Sequence, residues 1–251
     1  MGRMADIDEV MYSCGLEILH PGGIEKTDEL ATMCGIAKDK EVLDIGCGKG
    51  TTACYLAEKY GCRVVGLDCS ERMVEYSRAK AREKGLEERV RFEVGDALKL
   101  PFADESFDIV LAECTTTLLD KEKAFAEFLR VTRRGGWIGD SEMTWQAPPP
   151  EALVKKLYDL WEGFGTMTLA EWKAFLEKKG LAEVQTADFS RTIDDMEKSM
   201  KAGLGYRGMA KMCMKLLVRS DLRRAMGEYR KLAKEYRGYI GYGCVAGRKE
   251  G

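Results

Sequence analysis

A single histidine, His20, and five prolines are all that 251 residues hold of those two types. The lone imidazole, and nine cysteines with no Cys-x-x-Cys pair among them, leave a closed zinc centre without its usual ligands. The first ten residues, Met1 to Val10, carry three acids and no apolar core, unlike a secretory leader. An odd number of thiols in such a chain reads as reduced cysteines packed as small hydrophobes in a cytoplasmic protein. No apolar run approaches the roughly 18 residues that mark a membrane span. Neither charge sign dominates: 40 basic and 42 acidic side chains leave a formal net charge of -2, so no global field recruits nucleic acid. What is present is a globular composition, 45% hydrophobic and 33% charged, at a length suited to one domain with an appendage.

From Lys40 onward, short apolar runs alternate with amphipathic stretches. Strands are expected at 41–45, 63–67, 89–94, 107–112 and 136–141, with helices at 51–60 and at 70–84, the latter opened by Ser70 as its cap. Phe125, Phe128, Leu129 and Val131 mark a further helix before the fifth strand. This cadence predicts a doubly wound, Rossmann-like parallel sheet covered on both faces, which binds ligands at the carboxyl ends of its strands. Pro148-Pro149-Pro150 ends the alternation. Helices at 151–162 and 168–179 follow, the second with a Thr168…Glu171 capping box, and strands are expected at 181–189 and 239–247. Between those last strands, Ser190 to Arg237 is helical in pattern and holds thirteen basic against six acidic residues, with six of the thirteen methionines. It reads either as an added helical layer with a solvated basic face, or as an adaptable lid or contact surface.

The segment Val42-Leu-Asp-Ile-Gly-Cys-Gly-Lys-Gly50 places glycines at 46, 48 and 50 between the first strand and its helix, where a side chain would block a ligand. Asp68 ends the second strand, where a carboxylate holds both hydroxyls of a ribose. Thr51 stands where a dinucleotide fingerprint needs its third glycine, and no lysine-serine pair follows, which excludes a triphosphate loop. Asp96, after the third strand, is placed to accept from an adenine amino group.

These residues resemble the class I S-adenosylmethionine-dependent methyltransferases, in their small-molecule branch (methyltransferase type 11, ubiquinone/menaquinone-like). VLDIGCGKG, VVGLDCS, VGDALKLPF, SFDIVLAE and RVTRRGGWIGD follow that family's order over roughly residues 36 to 145. The resemblance implies a seven-stranded sheet whose last strand pair is antiparallel. It implies one methyltransferase domain: an amino-terminal cap (1–35), a cofactor-binding core (36–145), and a carboxyl-terminal completion (146–251) carrying the helical insertion 190–237. S-adenosyl-L-methionine is the implied cofactor and S-adenosyl-L-homocysteine its product. Asp44, Gly46, Cys47, Gly48 and Gly50 would face the methionine part, Asp68 the ribose, Cys69 and Met73 the adenine side, Asp96 and Ala97 the adenine, and Glu113 the sulfonium. His20-Pro-Gly-Gly-Ile-Glu-Lys-Thr27 resembles the amino-terminal loop of phosphoethanolamine and tocopherol-type methyltransferases, which makes Gly22, Gly23 and Thr27 candidate cofactor contacts. Glu113, Tyr12 and His20 are the candidate proton-handling groups, with Glu142 beside them. Cys114, Met143 and Trp145 are candidate acceptor contacts, and Trp161, Phe164 and Trp172 candidate aromatic walls. The expected partner is a small-molecule acceptor, not nucleic acid, with a homodimer left open. Two other acceptors stay open: a macromolecule met by the basic insertion, and arsenite, since Cys114 and Asp120-Lys121 resemble arsenite methyltransferases and Cys14, Cys114 and Cys213 could supply thiols.

Overall fold

The computed structural model describes residues 9–250; the first eight residues of the expected cap lie outside them. Seven strands form one sheet: β1 (Glu41–Ile45), β2 (Arg63–Asp68), β3 (Val90–Val94), β4 (Phe107–Glu113), β5 (Thr132–Trp145), β6 (Leu181–Asp188) and β7 (Ile240–Lys249). Their order is β3-β2-β1-β4-β5-β7-β6. The first five pair in parallel, whereas β7 runs antiparallel to both β5 and β6. Crossovers are made by α2 (Thr51–Tyr60), α3 (Glu71–Lys84) and α4 (Lys121–Val131), preceded by α1 (Gly23–Met33). Beyond β5 come α5 (Glu151–Leu160), α6 (Leu169–Lys178), and the insertion helices α7 (Thr192–Val218) and α8 (Ser220–Glu235).

Period-two alternation in buried strands splits the core between the two faces of the sheet. Val42, Val64, Ile109 and Leu111 pack with Leu30 of α1, Leu56 of α2 and Val74 of α3. Leu43, Ile45, Val65 and Val110 pack with Phe125 and Phe128 of α4 and Trp172 and Leu176 of α6. Helix starts follow their caps: Ser70 Oγ accepts from Met73 N at 3.4 Å, Asp120 Oδ1 from Lys123 N at 3.2 Å, and Thr168 and Glu171 complete the capping box. A third core of Leu153, Leu157, Leu160, Leu204, Met212, Leu222 and Leu232 joins α5, α7 and α8. Trp145 and Ile240, paired where β5 ends and β7 begins, belong to it, so this helical layer caps the carboxyl edge of the sheet.

β5 corrects the expected span of 136–141 at both ends. It runs Thr132–Trp145: its amino end pairs Thr132 with Phe107 of β4, and β7 pairs with it from Trp137↔Arg248 to Trp145↔Ile240, well past the end of β4. Backbone pairing carries the strand through Glu142 and Thr144, where the apolar pattern has already stopped.

Candidate active site

Strand order reverses between β1 and β4, and such a switch opens a crevice at the carboxyl ends. A cavity of about 850 Å3 lies there. Its floor is the turn after β1. Gly46 N and Cys47 N donate to Leu67 O at 2.8 and 3.1 Å, which folds the loop back over β2. Gly46 has φ +70°, and a Cβ there would stand 2.2 Å from Thr115 Oγ1. Asp68 lies behind the turn; its carboxylate accepts from Gly48 N and Ser70 N, both at 2.9 Å. Asp44 is fully buried and its Oδ2 has no hydrogen-bond partner. Burial, then the charges of Glu113 and Asp68, push its carboxyl well above the ordinary range. Burial also raises Asp68, against the two N–H groups that favour its charged form.

Glu113 ends β4 at the centre of the cavity wall. Thr27 Oγ1 donates to its two oxygens at 3.0 and 3.1 Å, and Thr52 Oγ1 donates to Oε2 at 2.9 Å. His20 Nε2 lies 3.6 Å from Oε2, and both side chains are almost wholly buried. The segment before α1 forms an adjoining wall through Met11, Tyr12 and residues 17–21. Lys49 ties it down by donating to Tyr12 O and Leu16 O, both at 3.3 Å, and to Glu17 Oε1 at 2.9 Å. Cys114 follows with φ +53°, unusual for a side chain larger than glycine. The bend aims the next backbone N–H groups at Glu142, which accepts from Thr115 N at 2.7 Å, Thr116 N, Thr117 N at 3.2 Å and Thr117 Oγ1 at 2.9 Å. Asp140, two residues before Glu142 on the same strand face, is fully buried with neither oxygen satisfied, and burial beside Glu142 raises its carboxyl strongly.

The far chamber is apolar and rich in sulfur. Met143, Trp161, Phe164, Met200, Leu204, Met209, Met212 and Met226 line it, most of them from α7 and α8. At its rim Arg230 pairs with Glu197 and Arg237 with Asp194, each bridging α7 and α8 or the segment just after it.

Of the residues singled out from sequence, Tyr12, His20, Asp44, Gly46, Cys47, Gly48, Asp68, Met73, Glu113, Cys114 and Met143 line this cavity together, as do Glu142, Trp161 and Phe164. Thr27 is buried one layer behind it, on Glu113. Gly22 caps α1 and Gly23 opens it, beside Pro21, which does line the cavity. Cys69 and Asp96 are exposed at neighbouring strand ends; Gly95 N donates to Asp68 O at 3.0 Å, and one oxygen of Asp96 accepts from Leu98 N at 2.8 Å, with Ala97 between. Gly50 turns away: its absent Cβ would meet Phe92 at 2.5 Å and Ser77 at 2.6 Å, so it serves the packing of β3 and α3. Trp145 sits in the third core, edge-on to Phe164 at 6.4 Å, outside the cavity lining.

Two further sequence expectations are corrected. Trp172 is no cavity wall; it lies on the opposite face of the sheet with Phe125 and Phe175 at 6.2 and 6.0 Å. Cys14, Cys114 and Cys213 do not converge, for Cys14 is buried in the third core and Cys213 is exposed on α7. The described residues hold no cluster of three groups suited to a metal. Burial also pushes the Cys114 thiol far above its ordinary range, which disfavours the thiolate that a metalloid needs. Sequence reasoning passed over Thr52, Thr115 and Lys49. Their only signal is position: Thr52 in the first turn of α2, Thr115 in the turn after β4 and Lys49 in the glycine turn after β1.

The comparisons agree with this fold. Residues 42–136 match a methyltransferase domain family. The chain is 33% identical over 179 residues to an uncharacterized protein of Haemophilus influenzae, a match covering 70% of this chain and 71% of the other. It is 33% identical over 189 residues to norajmaline N-methyltransferase of Rauvolfia serpentina, covering 71% of this chain and 65% of that enzyme, just under two thirds of its length. A solved structure of an S-adenosylmethionine-dependent methyltransferase from Geobacter sulfurreducens, in complex with S-adenosyl-L-homocysteine, has the same fold: TM-score 0.76 at 24% identity, over 96% of this chain and 97% of that one. The chain belongs to the methyltransferases whose domain its residues 42–136 match, and it has the fold of an S-adenosylmethionine-dependent member.

Proposed function

We propose that this enzyme moves the methyl group of S-adenosylmethionine onto a nucleophilic atom of a small, largely apolar acceptor by one in-line displacement. The observation that carries this reading is one cavity, acidic and glycine-lined at the strand ends and continuous with a methionine-lined chamber beneath α7 and α8. The relative from Rauvolfia serpentina, named for methylating norajmaline, supports a small-molecule acceptor.

Two features fit the cofactor. The turn at Gly46 and Gly48 leaves a cradle that any larger side chain would fill, and the orphaned Oδ2 of Asp44 faces it with an unmet acceptor. Asp68 would accept from the ribose hydroxyls with the lone pairs its two N–H donors leave free; Met73, with Cys69 and Ala97 near it, would flank the adenine, and Asp96 would accept from its amine. Bound S-adenosylmethionine supplies a methyl group already activated by its sulfonium toward attack.

The chain's own residues then bind, orient and exclude water. Orientation of two reactants can be worth about 7–11 kcal/mol. Trp161, Phe164 and the methionines would hold the acceptor dry and adjust to its outline. Glu113, locked in one rotamer by Thr27 and Thr52, would set negative charge beside the sulfonium, with Asp44 as its buried neighbour. An acceptor that must shed a proton would meet Glu113 Oε2 with His20 behind it, and Tyr12, whose hydroxyl lies over Gly48, would close the cofactor side. Incubation with methyl-labelled S-adenosylmethionine and a panel of apolar amines, phenols, quinones and thiols tests the proposal. Labelled product from an apolar acceptor is expected; turnover confined to charged, compact acceptors would overturn it.

A further inference from the structure

The insertion helix α7 is kinked at Gly205 (φ +59°), and the part that follows is apolar on two faces, only one of which is used by the fold. Its inner stripe, Leu204, Gly208 and Met212 with Met209, packs on the third core and reaches the cavity. At 100° per residue, Tyr206, Ala210, Cys213, Met214 and Leu217 fall on the opposite side. There Tyr206 is 98%, Met214 69%, Leu217 73% and the neighbouring Val218 82% exposed. Single exposed apolar residues are ordinary, but a stripe of them with a charged border is not. Residues 198–220 contain six Lys/Arg and no Asp/Glu. Arg207 and Lys211, on the border of the stripe, have no acidic partner among the described residues, and Lys215 donates to Ser13 Oγ at 2.6 Å.

We propose that this outer face of α7 docks the enzyme on an anionic lipid surface. Apolar side chains flanked by a border of one positive sign match the shape of an interfacial helix, which buries its apolar stripe at the headgroup boundary and sets Lys and Arg against acidic lipid. The stripe is convex and five side chains long, far short of the roughly 20–30 residues per side of a stable protein interface, which argues against a second copy as its occupant. Its inner stripe roofs the acceptor chamber, so a lipid-dissolved acceptor would enter under the helix that touches the bilayer. That last step rests on the apolar-acceptor reading above; the docking itself does not.

The test is co-sedimentation of the full chain, without acceptor, with phosphatidylcholine vesicles that contain or lack phosphatidylglycerol. Binding to the anionic vesicles alone, released by salt, is expected. Leu217→Asp should lower the partition coefficient at least about tenfold, and Arg207→Gln with Lys211→Gln together about 25-fold. None of these residues lines the cavity, so cofactor binding by the variants should match that of the wild type. No binding by the wild type, equal binding to neutral vesicles, or binding indifferent to both variants would overturn the docking. So would a lipid-free dimer that Leu217→Asp dissociates. Because no acceptor is present, failure here leaves the methyl-transfer proposal standing, and the reverse also holds.

Discussion

Replacing Glu113 by glutamine tests the assignment of charge at the centre of the site. The carboxylate accepts from two hydroxyls, those of Thr27 and Thr52 at 2.9–3.1 Å, and His20 Nε2 lies 3.6 Å away. An amide keeps the shape but offers one acceptor and removes the charge. Both threonine hydroxyls can rotate to meet the new NH2, so the loss of stability should be about 1–2 kcal/mol. The effect on ligands should be asymmetric. S-adenosylmethionine carries the sulfonium charge, whereas its product S-adenosylhomocysteine is a neutral thioether. Loss of one facing charge in a partly desolvated site should weaken binding of the cation about ten- to hundredfold, about 1.4–3 kcal/mol, and binding of the thioether by less than about threefold. Calorimetric titration of both ligands into wild type and Glu113→Gln reads this directly. Equal losses for the two ligands, or none, would refute the placement of Glu113 against the sulfonium.

Gly46→Ala should lose stability by about 2–4 kcal/mol, combining left-handed strain with the clash against Thr115, and Gly46→Ala/Thr115→Ala should recover part of it in chemical denaturation. Asp140 has a raised carboxyl pKa in the folded chain, so its contribution is full below the unfolded value and lost as pH rises through the folded one. Stability should therefore fall as pH rises above the ordinary carboxylate range, and Asp140→Asn should flatten that fall in melts compared over the pH range in which the wild type stays folded. Met209→Lys places a charge in the acceptor chamber; acceptor KM should rise at least about tenfold while cofactor affinity is unchanged.

The sheet and its helices were legible because parallel strands buried on both faces read as apolar runs, and caps at Ser70 and Thr168 mark helix starts. The end of β5 was not, because the carboxylate of Glu142 is held by the turn 115–117 and the backbone from Glu142 to Trp145 by the strand β7, both distant in sequence. The glycine turn and the acids ending β2 and β4 follow from local motifs. Gly50 shows the limit of such reading, since a glycine one residue from the helix start serves Phe92 and Ser77 and not the cavity. Trp172 was misplaced because helical spacing says which side of a helix is apolar, but not which face of the sheet that side meets. The methionines of α7 and α8 became a chamber roof only once the chain had returned from β6 to β7 over the strand ends.

The most direct test is calorimetric titration of S-adenosylhomocysteine into the wild type, Asp68→Asn and Asp68→Ala. If Asp68 receives the ribose hydroxyls, removing its carboxylate forfeits two charged hydrogen bonds of about 1.5–3 kcal/mol each, and Asp68→Ala should bind at least about a hundredfold more weakly, with the asparagine variant in between. Wild-type affinity in a folded Asp68→Ala would mean that the cofactor lies elsewhere.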